Sequence, residues 1–200
     1  MSKEIELLKE AIKILEAREK SSNVKLSTLK PGETFKVGEH DFIVLKQSEE
    51  VTHVISKDFM AKNIKFDENT RDYKKSNLKK IIERDIQPLI EKEVGTDNII
   101  EHEVDLTSVD MQNEFGKCKC KVRPITFDEA REFNNLIANE NLDDWWWTCT
   151  PWSTEKRGYK YSITVVHPSV GFNYGYCGND DGVRPFCILK SNIFVSKGEK

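Results

Sequence analysis

The chain has 200 residues, 38% of them hydrophobic and 32% charged, with 10 Gly and 6 Pro. This is the composition of an ordinary globular protein and excludes collagenous and disordered chains; the length suits one main domain. With 31 basic residues against 34 acidic ones, no overall field draws the protein to nucleic acid or an anionic membrane.

The opening MSKEIELLKEAIKILEAREK carries charge on every turn and no unbroken apolar run, so it reads as neither a signal peptide nor a membrane span, and the expected location is the cytoplasm. Ile5, Leu8, Ile12 and Leu15 step by three and four behind Ser2, which is the pattern of a capped amphipathic helix over residues 1–22. Two heptads fit either docking on the chain's own domain or self-association, and these four residues are the candidates for oligomerisation. Residues 23–30 read as a connector, 31–196 as a single α+β domain opened by the Pro31-Gly32 turn, and 197–200 as a tail.

TFKV, DFIVLK and VTHVIS are short β-rich runs separated by Gly38 and by QSEE, which predicts a meander of antiparallel strands. Ser76 then caps a helix whose apolar stripe is Leu78, Ile81, Ile82, Ile86, Leu89 and Ile90, with Pro88 expected to kink or split it. Lys74, Lys75, Lys79 and Lys80 lie before and within this helix, but Glu83, Glu91 and Glu93 follow closely. Such alternation is a solvated face, and no nucleic-acid partner is expected. VDLTSV and CKCKV are further strands, and Thr126 to Glu129 is a capping box ahead of Ala130, Phe133, Leu136 and Ile137.

Beyond that second core helix the pattern is all β: the tryptophan cluster, KYSITVV, an HPSVG turn, FNYGY, a GNDDG turn and VRPFCILK. The expected fold class is α+β, with antiparallel sheets, two core helices and the N-terminal amphipathic helix. All four tryptophans fall within LDDWWWTCTPW. In an extended chain Trp145 and Trp147 point to one face and Trp146 to the other, so the run belongs on a strand with structure on both sides. Arg184, before Pro185, is expected to be half-buried and paired with a carboxylate.

Five cysteines, an odd number without a secretion signal, read as reduced thiols. Cys118 and Cys120 alternate along a strand, and their spacing with no second pair in register does not predict a zinc site. His40, His53, His102 and His167 are dispersed, and no P-loop, dinucleotide fingerprint or nucleophile elbow is present, so neither a catalytic residue nor a cofactor is expected. The Asn179-Asp180-Asp181-Gly182 run fits a tight turn, and calcium ligation is the competing account of the same residues.

From SNLKKIIE through the Thr126-capped helix to DDWWWTCTPW, the aromatic GFNYGYCGNDD and the closing GVRPFCILKSNIFVS, residues 29–196 resemble the bacterial and phage domain of unknown function 6273. That family commonly carries a Leu-Arg or similar pair where this chain has Trp147 and Thr148. The tryptophan strand, aromatic hairpin and closing strand also resemble the end of a C-type-lectin-like domain. The resemblance implies a bacterial, phage-infected or virion setting and a recognition role. Trp152, Tyr159, Tyr161, Asn173, Tyr174, Tyr176, Asn179, Asp180 and Asp181 are the candidate binding residues, combining rigid rings with adaptable polar groups. The expected partner is a protein, from host or phage, or a glycan, with neither nucleic acid nor membrane, and with copies assembled into a homo-oligomer. The competing expectation is a phage or prophage protein that inhibits a host defence or replication protein by direct binding.

Overall fold

The computed structural model describes residues 23–198, together with Ile5, Leu8 and Lys9 of the preceding segment. Ile5, Leu8 and Lys9 are helical and exposed; Ile12 and Leu15 lie outside the described residues.

The segment read as a connector belongs to the fold. β1 (Asn23–Lys25) pairs antiparallel with β14 (Phe194–Lys197), and Leu26 and Leu29 are fully buried behind it. Two leucines in a polar octapeptide gave no strand periodicity, yet they anchor the chain. The tail likewise starts one residue later than expected, because Lys197 is still paired with Phe35.

The expected meander is β2 (Thr34–Val37), β3 (His40–Gln47) and β4 (Val51–Ser56), with antiparallel pairing throughout. It is completed by β8 (Val122–Pro124) and β13 (Pro185–Lys190) into a seven-stranded sheet of order β1-β14-β2-β3-β4-β13-β8. A five-stranded sheet contains β5 (Ala61–Lys65), β9 (Trp146–Pro151), β10 (Ser162–Val166), β11 (Phe172–Tyr176) and β12 (Asp180–Val183) in the order β11-β10-β9-β12-β5. β6 (His102–Asp105) and β7 (Lys117–Cys120) form a separate hairpin.

Ser76 caps α1 (Asn77–Ile81), its side chain accepting from Lys79 N–H. The helix then passes through one π turn, Ile82–Ile86, before α2 (Gln87–Val94), whose first turn holds Pro88. Wider i→i+5 turns shift the buried face. Leu78, Ile82, Ile86 and Ile90 are buried at strict four-residue spacing, and Leu89, expected in the stripe, is 53% exposed. The second helical region has the full capping box at Thr126 and Glu129 and divides at Phe133 into α3 (Phe127–Glu132) and α4 (Asn134–Ile137).

Strand alternation separates two cores. Phe42, Val44, Val54, Trp147, Cys149 and Cys187 face a cluster closed by the first helical region. Ile43, Leu45, Ile55, Trp146, Val166 and Phe186 face a second one, closed by α3 and α4 through Ala130, Phe133 and Ile137. The tryptophan strand therefore has a core on either side, as its neighbouring rings require. Architecture and class are α+β with mainly antiparallel open sheets.

Candidate functional site

β9, β10 and β11 run side by side at one end of the five-stranded sheet, with β11 at the edge. Gly175 points inward, where a Cβ would stand 3.1 Å from Val165 and 3.5 Å from the Trp147 ring. By alternation Phe172, Tyr174 and Tyr176 share the opposite face. Each meets a ring supplied from elsewhere: Phe172 meets Phe127 of α3 at 5.0 Å, Tyr174 meets Trp152 at 5.3 Å and Tyr159 at 5.7 Å, and Tyr176 meets Tyr161 at 5.6 Å. Tilted and edge-on pairs at these separations are the favoured arrangements of aromatic rings. Tyr174 and Tyr176 nevertheless remain 49% exposed. The result is a row of supported rings about 7 Å apart along one strand, the two-residue repeat of an extended chain.

Of the expected binding residues, the structure gathers Trp152, Tyr159, Tyr161, Tyr174 and Tyr176 into this row. Asn173 lies on the other face of β11 and turns its Oδ1 to accept the Tyr174 N–H at 2.8 Å. Asn179 lies in the turn that follows β11, and Asp180 and Asp181 open β12, so none of the three is on the ring face of β11. The expected GNDDG hairpin turn is replaced by a tight turn in which Asn179 N–H donates to Tyr176 C=O at 2.8 Å, after which Asp180 already begins β12. That strand pairs with β5 and, in parallel, with β9, leaving β11 unpaired to it. Phe127 and Phe172 were not expected in the row; Phe172 carried the same alternation signal as the tyrosines, whereas Phe127 arrives from a helix.

Asp181 is buried, and among the described residues no donor reaches its carboxylate. Burial, with Asp144 and Asp180 adding like charge, pushes it up to about 6. No group of three or more His, Cys, Asp or Glu side chains among the described residues is placed to hold a metal ion.

A second polar region lies beside Phe127. A cavity of about 340 Å³, lined by Glu103, Asp105, Thr107, Phe127 and Asp128, has Arg123 and Glu129 as its floor. Arg123 donates to Glu129 from Nη1 at 2.7 Å and from Nη2 at 2.5 Å, and from Nε to His102 Nε2 at 2.9 Å. Since guanidinium only donates, His102 Nε2 accepts, and its proton sits on Nδ1, 3.2 Å from Ile100 C=O. Burial, then the Arg123 charge, pulls His102 down to about 4. Burial alone would raise Glu129, but the Arg123 hydrogen bonds and charge outweigh it and hold the carboxyl below its usual range. The charges here neutralise one another and fix the start of α3.

The five cysteines, Cys118, Cys120, Cys149, Cys177 and Cys187, are free and buried. Burial pushes Cys120 and Cys187 up to about 12, so they are not nucleophiles in this setting.

No protein-family model matches the chain, and no curated protein or solved structure matches it significantly. Among the described residues no helix is long and apolar enough to cross a membrane.

Proposed function

We propose that the protein is a non-enzymatic recognition module that binds a protein or a glycan across the ring row on β11. The observation that carries this is the combination at Tyr174 and Tyr176: both rings are half-exposed, and both are held edge-on or tilted by a second ring. Rings fixed in this way offer large amphipathic area with little conformational entropy left to lose on binding. Phenol hydroxyls at the rim supply donors and acceptors. The sequence resemblance of the tryptophan strand, aromatic hairpin and closing strand to the end of a C-type-lectin-like domain, and of residues 29–196 to a bacterial and phage domain of unknown function, supports a recognition role in that setting. Exposed Ile5 and Leu8 in the N-terminal segment are the residues through which copies would assemble for avidity.

The experiment is a glycan array, run beside capture from bacterial lysate with mass spectrometry. Both use the full chain and its Tyr174→Ala and Tyr176→Ala double variant. Because neither ring is in the buried cores, the variant keeps its melting temperature within a few degrees. Loss of roughly tenfold or more in affinity for whatever the wild type retains is the expected result. Equal binding by a folded double variant overturns the assignment.

A further inference from the structure

Among the described residues β11 has β10 as its one neighbour, and its five pairs run from Ser162 opposite Tyr176 to Val166 opposite Phe172 without a register shift. The bonds just beyond this ladder fix which backbone groups face outward. His167 N–H donates to Gly171 C=O at 2.8 Å, and Cys177 N–H donates to Tyr161 C=O at 2.7 Å. Hydrogen-bonded pairs alternate with non-bonded ones in an antiparallel ladder. Gly175 and Asn173 therefore bond to β10, while Phe172, Tyr174 and Tyr176 turn their N–H and C=O groups to the free edge. Local bonds agree: the Tyr174 N–H is taken by its neighbour's side chain, Asn173 Oδ1, and Tyr176 C=O by the Asn179 N–H of the following turn.

Natural edge strands are blunted by lysine, proline, bulges or covering segments. FNYGY holds no lysine or proline, and its pairing has no bulge.

We propose that β11 pairs antiparallel with β11 of a second copy, about a two-fold axis at Tyr174. The pairing joins the two five-stranded sheets edge to edge. Tyr174 then faces its own copy, Phe172 faces Tyr176 of the second copy, and Asn173 faces Gly175 of the second copy. Three features of the sequence fit this occupant. A two-fold axis sets every charge near its own copy, and this strand has no charge to repel. Aromatic residues meet aromatic residues at all positions on the ring face, the favourable class of cross-strand pair. On the other face the one sizeable side chain, Asn173, meets a residue with none.

Three outward pairs supply roughly six backbone hydrogen bonds. Four of the six need adjustment, two in each copy: Tyr174 N–H exchanges Asn173 Oδ1 for the other copy's carbonyl, and Tyr176 C=O uses its second lone pair. Residues opposite one another in a sheet point to the same face, so the pairing merges two ring rows into one continuous surface. This consequence rests on the ring row being the recognition surface; the pairing itself is measured without any ligand.

The test is sedimentation equilibrium of the full chain against Tyr174→Pro and Tyr174→Ala. Proline at 174 removes an N–H that β10 does not use, so the fold tolerates it at an edge. The expected result is a wild-type dimer whose dissociation constant rises at least about tenfold in Tyr174→Pro. Tyr174→Ala, which keeps the backbone donors, changes it by a smaller factor. Should the proline variant fail to fold, concentration-dependent amide exchange of the wild type gives the same answer. Protection then rises with concentration at the amides of Phe172, Tyr174 and Tyr176 and stays constant at Asn173 and Gly175. A wild-type monomer at every concentration, an association unchanged in folded Tyr174→Pro, or exchange without this alternation overturns the proposal. Association through the N-terminal segment would survive Tyr174→Pro, and failure of ligand recognition alone would leave the dimer intact.

Discussion

The guanidinium carbon of Arg184 stands 4.8 Å from the centroid of the Trp146 ring, and both side chains are fully buried. Arg184 sits where the chain leaves β12 in one sheet and enters β13 in the other. Its Nε donates to Ser56 C=O at 3.0 Å and its Nη1 to Ile137 C=O at 2.7 Å. One side chain thus ties the end of β4, the end of α4 and the tryptophan strand together. The carboxylate partner expected from the sequence is replaced by backbone carbonyls, and Asp58 acts through its charge alone. Burial outweighs that charge and pulls Arg184 down to about 10.

Arg184→Ala is therefore expected to cost about 3 to 5 kcal/mol, from two orphaned carbonyls, a cavity and a lost cation–ring contact. Arg184→Met fills much of the space and removes the buried charge, so it loses less. Urea unfolding of the three proteins checks this. Stabilities within about 1 kcal/mol of wild type for both variants would show that Arg184 is no clamp.

At the same crossing, Gly182 lies beside Trp146 in the parallel pair, and a Cβ at 182 would stand 2.6 Å from Cζ of Phe59. Gly182→Ala therefore forces the Phe59 ring to move, at about 1 to 3 kcal/mol for overpacking. Combining it with Phe59→Leu should recover part of the loss. Thermal melts of the single and double variants test the coupling, and strict additivity of the two losses rules out the clash.

Period-two and helical patterning made β2, β3, β4, β10 and β11 legible, as it did both helical regions, because local burial sets that pattern. Ser76 and Thr126 marked their helix starts through cap chemistry. Tyr174 and Tyr176 could be placed on one face by alternation alone. What stayed hidden depends on distant chain. Nothing local in Asp180 and Asp181 says that they pair with Lys65 and Ile64 of β5. Leu89 fits an unbroken α-helix, and the π turn before it rotates it outward. Arg184 finds carbonyls contributed by residues 56 and 137, which no local window contains.

His102 gives the fold a pH dependence whose sign follows from its partner. Its pKa is pulled from the ordinary 6.5 to about 4 by burial and by Arg123, and His53 is also lowered, by burial first. The unfolded chain therefore binds protons that the folded chain refuses as pH falls from about 6.5 toward 4, and stability drops over that window. Protonation at Nε2 would also remove the acceptor that Arg123 uses. In His102→Gln the slope of stability against pH between 6.5 and 4 should be shallower. Urea midpoints measured across that range decide it, and an unchanged slope assigns the dependence elsewhere.

Asp181 acts with the opposite sign. Its carboxyl is raised from 3.8 to about 6 by burial, then by Asp144 and Asp180, so the folded chain holds a proton that the unfolded chain releases. The cost is full above pH 6 and fades as pH falls toward 3.8, where both states are protonated. Asp181→Asn keeps the shape without the charge, and at pH 7.5 it should raise stability by about 1 to 3 kcal/mol. That gain should shrink steadily on acidification and vanish near pH 4. Because the His102 term grows over much of the same interval, the two are separated by measuring Asp181→Asn in both the wild-type and His102→Gln backgrounds. A variant no more stable than wild type at pH 7.5 would mean that the carboxylate has a compensating partner in solution.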